Sequence, residues 1–175
     1  MSRRTIARQA AVQLLFQDEF NPQRSRDLDR QYVLDQVESD AVLADFAWWL
    51  VDGTRSQKEK LDPEIEAAAE HWSVYRMSAV DRSLIRMAAF ECRSGSTPKA
   101  VAIDEAIRLA KRLGGKDSPS FVNGVLDRLL SDDASPVVHG KLDSSVAVSP
   151  ESQAKDGANS PGLGLRRFIK RGPTA

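Results

Sequence analysis

Residues able to do chemistry are scarce in this sequence, and those that stand out are arginines. Arg3, Arg4 and Arg8 open the chain, and Arg108, Lys111 and Arg112 precede Lys116 further along. Cations gathered on one face would bind the phosphates of a nucleic acid. They also have a purely structural use: the second group falls where a helix ends and its dipole attracts positive charge, and the first is equally at home on a solvated N-terminus. The two readings stand level unless the fold brings the two segments together.

Catalytic alternatives are few. The sequence holds no phosphate-binding glycine loop, no dinucleotide fingerprint, no nucleophile elbow and no zinc-protease motif. Cys92 is the only cysteine, which excludes an internal disulfide and a cysteine-built zinc site, and two histidines, His71 and His139, do not make up the difference. Cys92 reads as a small core residue, and His71 beside Trp72 is equally bland. Asp104 and Glu105 are neighbours on a helix and point in different directions, so they form no carboxylate dyad. No catalytic residue, metal or cofactor is expected.

Charge and composition agree. Twenty-five basic residues balance 25 acidic ones, so the molecule has no general attraction for polyanions or membranes and any nucleic-acid contact must be local. No stretch approaches the ~20 apolar residues of a membrane span. The N-terminus lacks the apolar segment of a secretory signal, and a cytoplasmic location is the expectation.

Positioning these residues falls to helices. Ile6, Ala7, Ala10, Ala11, Leu14 and Leu15 repeat at helical spacing up to Asn21-Pro22, with Arg4 and Arg8 placed on the surface four residues apart. A weaker helix spans about Leu28–Glu38, and a third runs from Ala41 to Lys60 with Leu43, Phe46, Ala47, Leu50 and Val51 inward. Asp62-Pro63 reads as a cap followed by proline, opening a fourth. Ser78 and Asp81 form a capping box for a fifth, Thr97-Pro98 opens a sixth that closes at Gly114-Gly115, and Ser118-Pro119 opens the last.

The last helix contains Asn123-Gly124, a hairpin signal elsewhere, but Phe121, Val122, Val125, Leu126, Leu129 and Leu130 keep helical register around it. Glycine there costs about 1 kcal/mol relative to alanine, so Gly124 is expected to admit a close helix contact. Residues 131–175 change character, rich in Ser, Pro, Gly and Asp without periodicity, and read as a disordered tail. Its end places Arg166, Arg167, Lys170 and Arg171 around Phe168 and Ile169, read as a solvated basic end over an RNA or acidic-partner contact.

Three blocks carry a family resemblance: "RRTIARQAAVQLLFQ", "VDRSLIRMAAFE" and "PKAVAIDEAIRLAKRLGGKDSPSFVNGVLDRLL". Over residues 2 to about 130 the chain resembles the NusB transcription antitermination family. The resemblance implies an all-α, NusB-like bundle of about seven helices in two packed subdomains, residues 1–77 and 78–130, followed by the 131–175 tail. It implies a non-enzymatic protein that binds boxA of nascent ribosomal RNA together with the ribosomal protein NusE. Other Nus factors and RNA polymerase follow indirectly, and a homodimer stays open beside a monomer.

Residue by residue, the resemblance places Arg3, Arg4, Arg8, Trp72, Asp117 and Phe121 toward RNA, and Phe16 and Asp81 toward NusE. Core packing competes for both rings, and stays ahead for Trp72; helix capping competes for Asp117. Two other functions remain in view. One is a module associated with ribosomal RNA methyltransferase activity, disfavoured because no cofactor motif follows; the other is a scaffold that binds protein only.

Overall fold

The computed structural model describes residues 1–131; the expected tail and its basic end at Arg166–Arg171 lie outside them. Six α-helices carry the fold: α1 (Arg3–Phe20), α2 (Arg26–Gln36), α3 (Ala41–Ala68), α4 (Ala79–Arg93), α5 (Lys99–Leu113) and α6 (Ser118–Leu129). A single 3-10 turn, Val74–Arg76, stands between α3 and α4. Among the described residues there is no strand, and no helix is long and apolar enough to cross a membrane.

The expected seventh helix is absent because Asp62-Pro63 does not start one. Pro63 sits inside α3, where a missing N–H and ring clash cost about 3 kcal/mol. Packing holds the helix through it, since Leu61 and Ile65 on either side are completely buried. Asp62, expected as a cap, instead accepts bonds of 2.7 and 2.8 Å from the Arg86 guanidinium.

Capping explains the other boundaries. Ser2, Asp40 and Ser78 each accept a backbone N–H in the first turn of α1, α3 and α4. Thr97 does not cap α5 as expected: Pro98 takes that position, and the Thr97 hydroxyl donates to Glu91 at 2.6 Å. Ser118 is likewise the first residue of α6 rather than its cap, and its Oγ accepts the Gly115 N–H at 2.9 Å. Helices α2 and α3 end without glycine, on Glu38-Ser39 and Glu70-His71, all four at positive φ. Each pair closes a six-residue turn, Ser39 N–H to Leu34 O and His71 N–H to Glu66 O, both 2.8 Å.

One apolar cluster draws on every helix, with Leu50, Leu84, Ile85, Leu109 and Leu126 fully buried. Met77 and Ser78, where the two expected subdomains meet, link the 3-10 turn to α4. Ion pairs fix the helix directions: α1 runs parallel to α3, through Arg3–Asp40 and Asp18–Arg55. It runs antiparallel to α4, through Arg8–Glu91 and Glu19–Arg86.

The close approach assigned to Gly124 is overturned, because a Cβ there would meet nothing within 4 Å. A glycine with no room for a side chain is Gly53 in mid-α3, where a Cβ would lie 1.9 Å from Phe90 Cζ. The Phe90 ring occupies that space.

Candidate nucleic-acid interface

The fold does bring the two basic segments together. The Met1 thioether lies against the Arg112 guanidinium, so the start of α1 sits beside the last turn of α5. Arg3 and Arg4 are exposed, as are Arg108, Lys111, Arg112 and Lys116. Arg3 is tethered to Asp40 at 2.8 Å, and Arg108 has Glu105 at 3.6 Å. Arg4 rests its guanidinium over the Phe46 ring, 5.2 Å from the centroid, and has no carboxylate partner among the described residues.

Arg8 is elsewhere, and its expected surface position is corrected. Its side chain is 4% exposed and forks onto Glu91, with Nε donating to Oε2 at 2.9 Å, while Nη1 reaches Glu105 at 3.5 Å. Glu91 also accepts from Thr97, so a fully buried carboxylate is satisfied by a cation and a hydroxyl. Arg8 lies in the inward stripe Thr5, Arg8, Val12, Leu15, which is the signal that marks it as a buried ion. Its guanidinium anchors α1 against α4 and α5, which holds Arg3 and Arg4 at the surface.

Asp117 and Phe121 complete this end. Asp117 follows the α5–α6 turn directly after Lys116; it is exposed, and its side chain makes no capping bond. It stands at the N-cap position of α6 with its carboxylate unbonded and open to a donor. Phe121, one turn on, is half-buried against the core.

Trp72 stands apart. Arg128, near the end of α6, donates to Ala68 O at 3.0 Å and pairs with Glu70 at 3.0 Å, placing the turn that bears Trp72 beside that end. From Asp117 the helix runs about 16 Å to Arg128 at 1.5 Å per residue. Trp72 is 44% exposed, so core packing does not account for it, and Arg76 covers its ring at 4.3 Å.

Phe16 and Asp81 occupy a third region, in the C-terminal half of α1 and the first turn of α4. Phe16 packs on Phe20 with centroids 5.0 Å apart, and Phe20 is 62% exposed. Asp81 is buried, and its Oδ1 has no hydrogen-bond partner, an orphan acceptor of the kind that costs free energy until a donor arrives.

Around that region runs an ionic network with no counterpart in the sequence reading. Glu19 accepts from Arg82 and Arg86, Arg86 reaches Asp62, Asp18 holds Arg55, and Arg24 bridges Asp18 and Asp29. Burial alone would raise the Glu19 carboxyl, but the hydrogen bonds and charges of Arg82 and Arg86 outweigh it and hold it below its usual range. The signal was present in "RSLIRMAAFE", where charges interrupt an otherwise apolar run and must be paired to be buried. Burial pushes the Cys92 thiol up, which makes it a poor nucleophile. Among the described residues no cluster of three or more His, Cys, Asp or Glu is placed to hold a metal ion.

These features define an all-helical protein whose distinguishing surface is a cluster of exposed cations at one end of a bundle. A family model described as the NusB family matches residues 5–131. The transcription antitermination protein NusB of Bdellovibrio bacteriovorus is 40% identical over 133 residues, 74% of this chain and 96% of that protein. That of Geobacter sulfurreducens is 38% identical over 133 residues, 75% of this chain and 96% of that protein. The solved structure of T. maritima NusB is 33% identical and superposes with a TM-score of 0.63, covering 74% of this chain and 90% of that one. The chain belongs to the NusB family.

Proposed function

We propose that this chain is an RNA-binding transcription antitermination factor that engages single-stranded boxA of nascent ribosomal RNA transcripts together with NusE. The observation that supports the reading is the contact of Met1 with Arg112, which brings the start of α1, with the exposed Arg3 and Arg4, beside the end of α5, where the exposed Lys116 and Asp117 follow in the chain. Phosphates bind the guanidinium and ammonium groups, Asp117 accepts from a base amino group, and the edge of Phe121 packs a base. Arg8 serves from beneath, by fixing α1. Trp72 offers a further stacking ring, reached by RNA that runs the length of α6. The Phe16–Phe20 pair, exposed at Phe20, supplies an apolar contact for the protein partner.

Zero net charge suits a protein whose RNA affinity is completed by a partner. The test is fluorescence anisotropy with boxA and scrambled RNA, with and without NusE. Binding to boxA is expected to tighten when NusE is added; equal affinity in both arms overturns the joint mechanism. Arg4→Ala is expected to reduce the salt slope by about 0.7, the contribution of one neutralised phosphate on a single strand.

A further inference from the structure

One surface next to the arginines has no part in that reading. Val42, Phe46 and Trp49 recur at helical spacing on the outer side of α3; Val42 is 76% exposed, Trp49 36%, and Phe46 is half-buried at the rim of the core. Phe46 and Trp49 are stacked, with centroids 5.9 Å apart and planes at 20°, and Phe90 leans on Trp49 at 4.8 Å. The Phe90 ring is itself seated over Gly53, so the column has a rigid floor. At its other end the guanidinium groups of Arg4 and Arg8 lie 5.2 and 5.3 Å from the Phe46 centroid.

These two arginines differ in a way that matters. Arg8 is locked onto Glu91, whereas Arg4 is exposed and uncommitted. The aromatic column thus emerges at the surface beside a cation that already belongs to the basic end. Stacking rings interleaved with guanidinium groups are what single-stranded RNA requires: bases lie on the rings, and phosphates meet the cations. Asp45, a turn before Trp49, faces the groove it shares with Arg26 and Arg30.

We infer that Trp49, backed by Phe46 and flanked by Arg4, is a stacking site for an unpaired base of the RNA held at the basic end. The inference rests on the RNA reading above and extends its footprint from α1 onto α3. Continuity with Arg4 and the sign of its charge select a polyanion over a second copy of the chain as the occupant.

The experiment uses the full chain with NusE and a boxA oligonucleotide. In a Trp48→Phe, Trp72→Phe background, which leaves Trp49 as the only tryptophan, its fluorescence is expected to be quenched at stoichiometric RNA. In the unmodified background Trp49→Ala is expected to weaken binding about 5- to 150-fold, the range of one stacked base, with the salt slope unchanged. Trp49→Phe should retain most of the affinity. Unquenched Trp49 and unchanged affinity in Trp49→Ala, while Arg4→Ala still weakens binding, would overturn the stacking site and leave the RNA reading standing. Failure of the unmodified complex to bind boxA would remove that reading as well. Quenching that rises with protein concentration without RNA, matched by a dimer in sedimentation, would replace the base with a second copy.

Discussion

The two ends of α1 use the same residue type in opposite ways. Toward its C-terminus, Arg24, Arg55, Arg82 and Arg86 are all paired with Asp or Glu, and most of that network is at least partly buried. At its N-terminus Arg4 lies on an aromatic ring, Arg112 meets Met1, and Arg112 and Lys116 are exposed. Arg8 marks the boundary, with a guanidinium as buried as any in the network, one turn from a free one. A net charge of zero therefore conceals a local difference: the arginines around the C-terminal half of α1 are paired with acids, whereas Arg4, Arg112 and Lys116 have no carboxylate partner among the described residues. An averaged charge says little about binding when the ions are sorted in this way.

The strongest way to break this contrast is to remove the anchor at the boundary. Glu91→Ala strands the buried Arg8 cation and is expected to cost about 3–5 kcal/mol in urea unfolding. The double variant Arg8→Met, Glu91→Leu removes both charges and should recover most of that loss. If Arg8 acts only from beneath, the double variant also keeps its boxA affinity within about 2-fold, a change of less than 0.5 kcal/mol. A large loss of RNA binding in a stably folded double variant would move Arg8 into direct contact with RNA.

A smaller effect sharpens the basic end from behind. Gly53→Ala drives a methyl into the Phe90 ring and is expected to cost about 1–3 kcal/mol, as overpacking does. Phe90→Leu in the same chain should relieve part of it. Gly124→Ala provides the control, because open space surrounds that position: it should be neutral or stabilise by up to about 1 kcal/mol through helix propensity. Equal destabilisation by the two substitutions in thermal melts would contradict this account of the glycines.

Those two glycines show what sequence can and cannot reveal here. The helices were legible because burial in a bundle imposes a 3.6-residue period on apolar side chains, and α4 to α6 appear near their expected places. Local rules failed where a distant partner outbid them. Asp62 and Thr97 looked like caps, but Arg86 claims the first and Glu91 the second. Gly124 looked like a packing device and Gly53 went unnoticed, since only tertiary structure shows which glycine faces a ring. Arg3 and Arg4 were readable as surface cations. Arg8 was misplaced although its stripe pointed inward, because Glu91 lies 83 residues away in the chain. Trp72 parted from Asp117 for a similar reason: a left-handed turn made without glycine at Glu70-His71 leaves no mark in the sequence.

The gentlest probe acts on the paired end through pH. Arg82 and Arg86 hold the Glu19 carboxyl below its ordinary value in the folded protein, so the folded state binds its proton less readily than the unfolded chain does. The stabilisation is therefore fully present above the unfolded value of about 4.3 and is lost as pH falls through the lower folded one. Glu19→Gln should lower the urea midpoint at pH 7, and the gap from the parent protein should narrow steadily as the pH falls below about 4. Binding of boxA at pH 7 should change little, because Arg82 and Arg86 lie on α4 and meet α1 at Glu19, in the half remote from Arg3. A gap that stays constant across the pH range would show that Glu19 contributes by packing and not by charge. RNA affinity that fell with stability would show that the two ends of α1 are coupled.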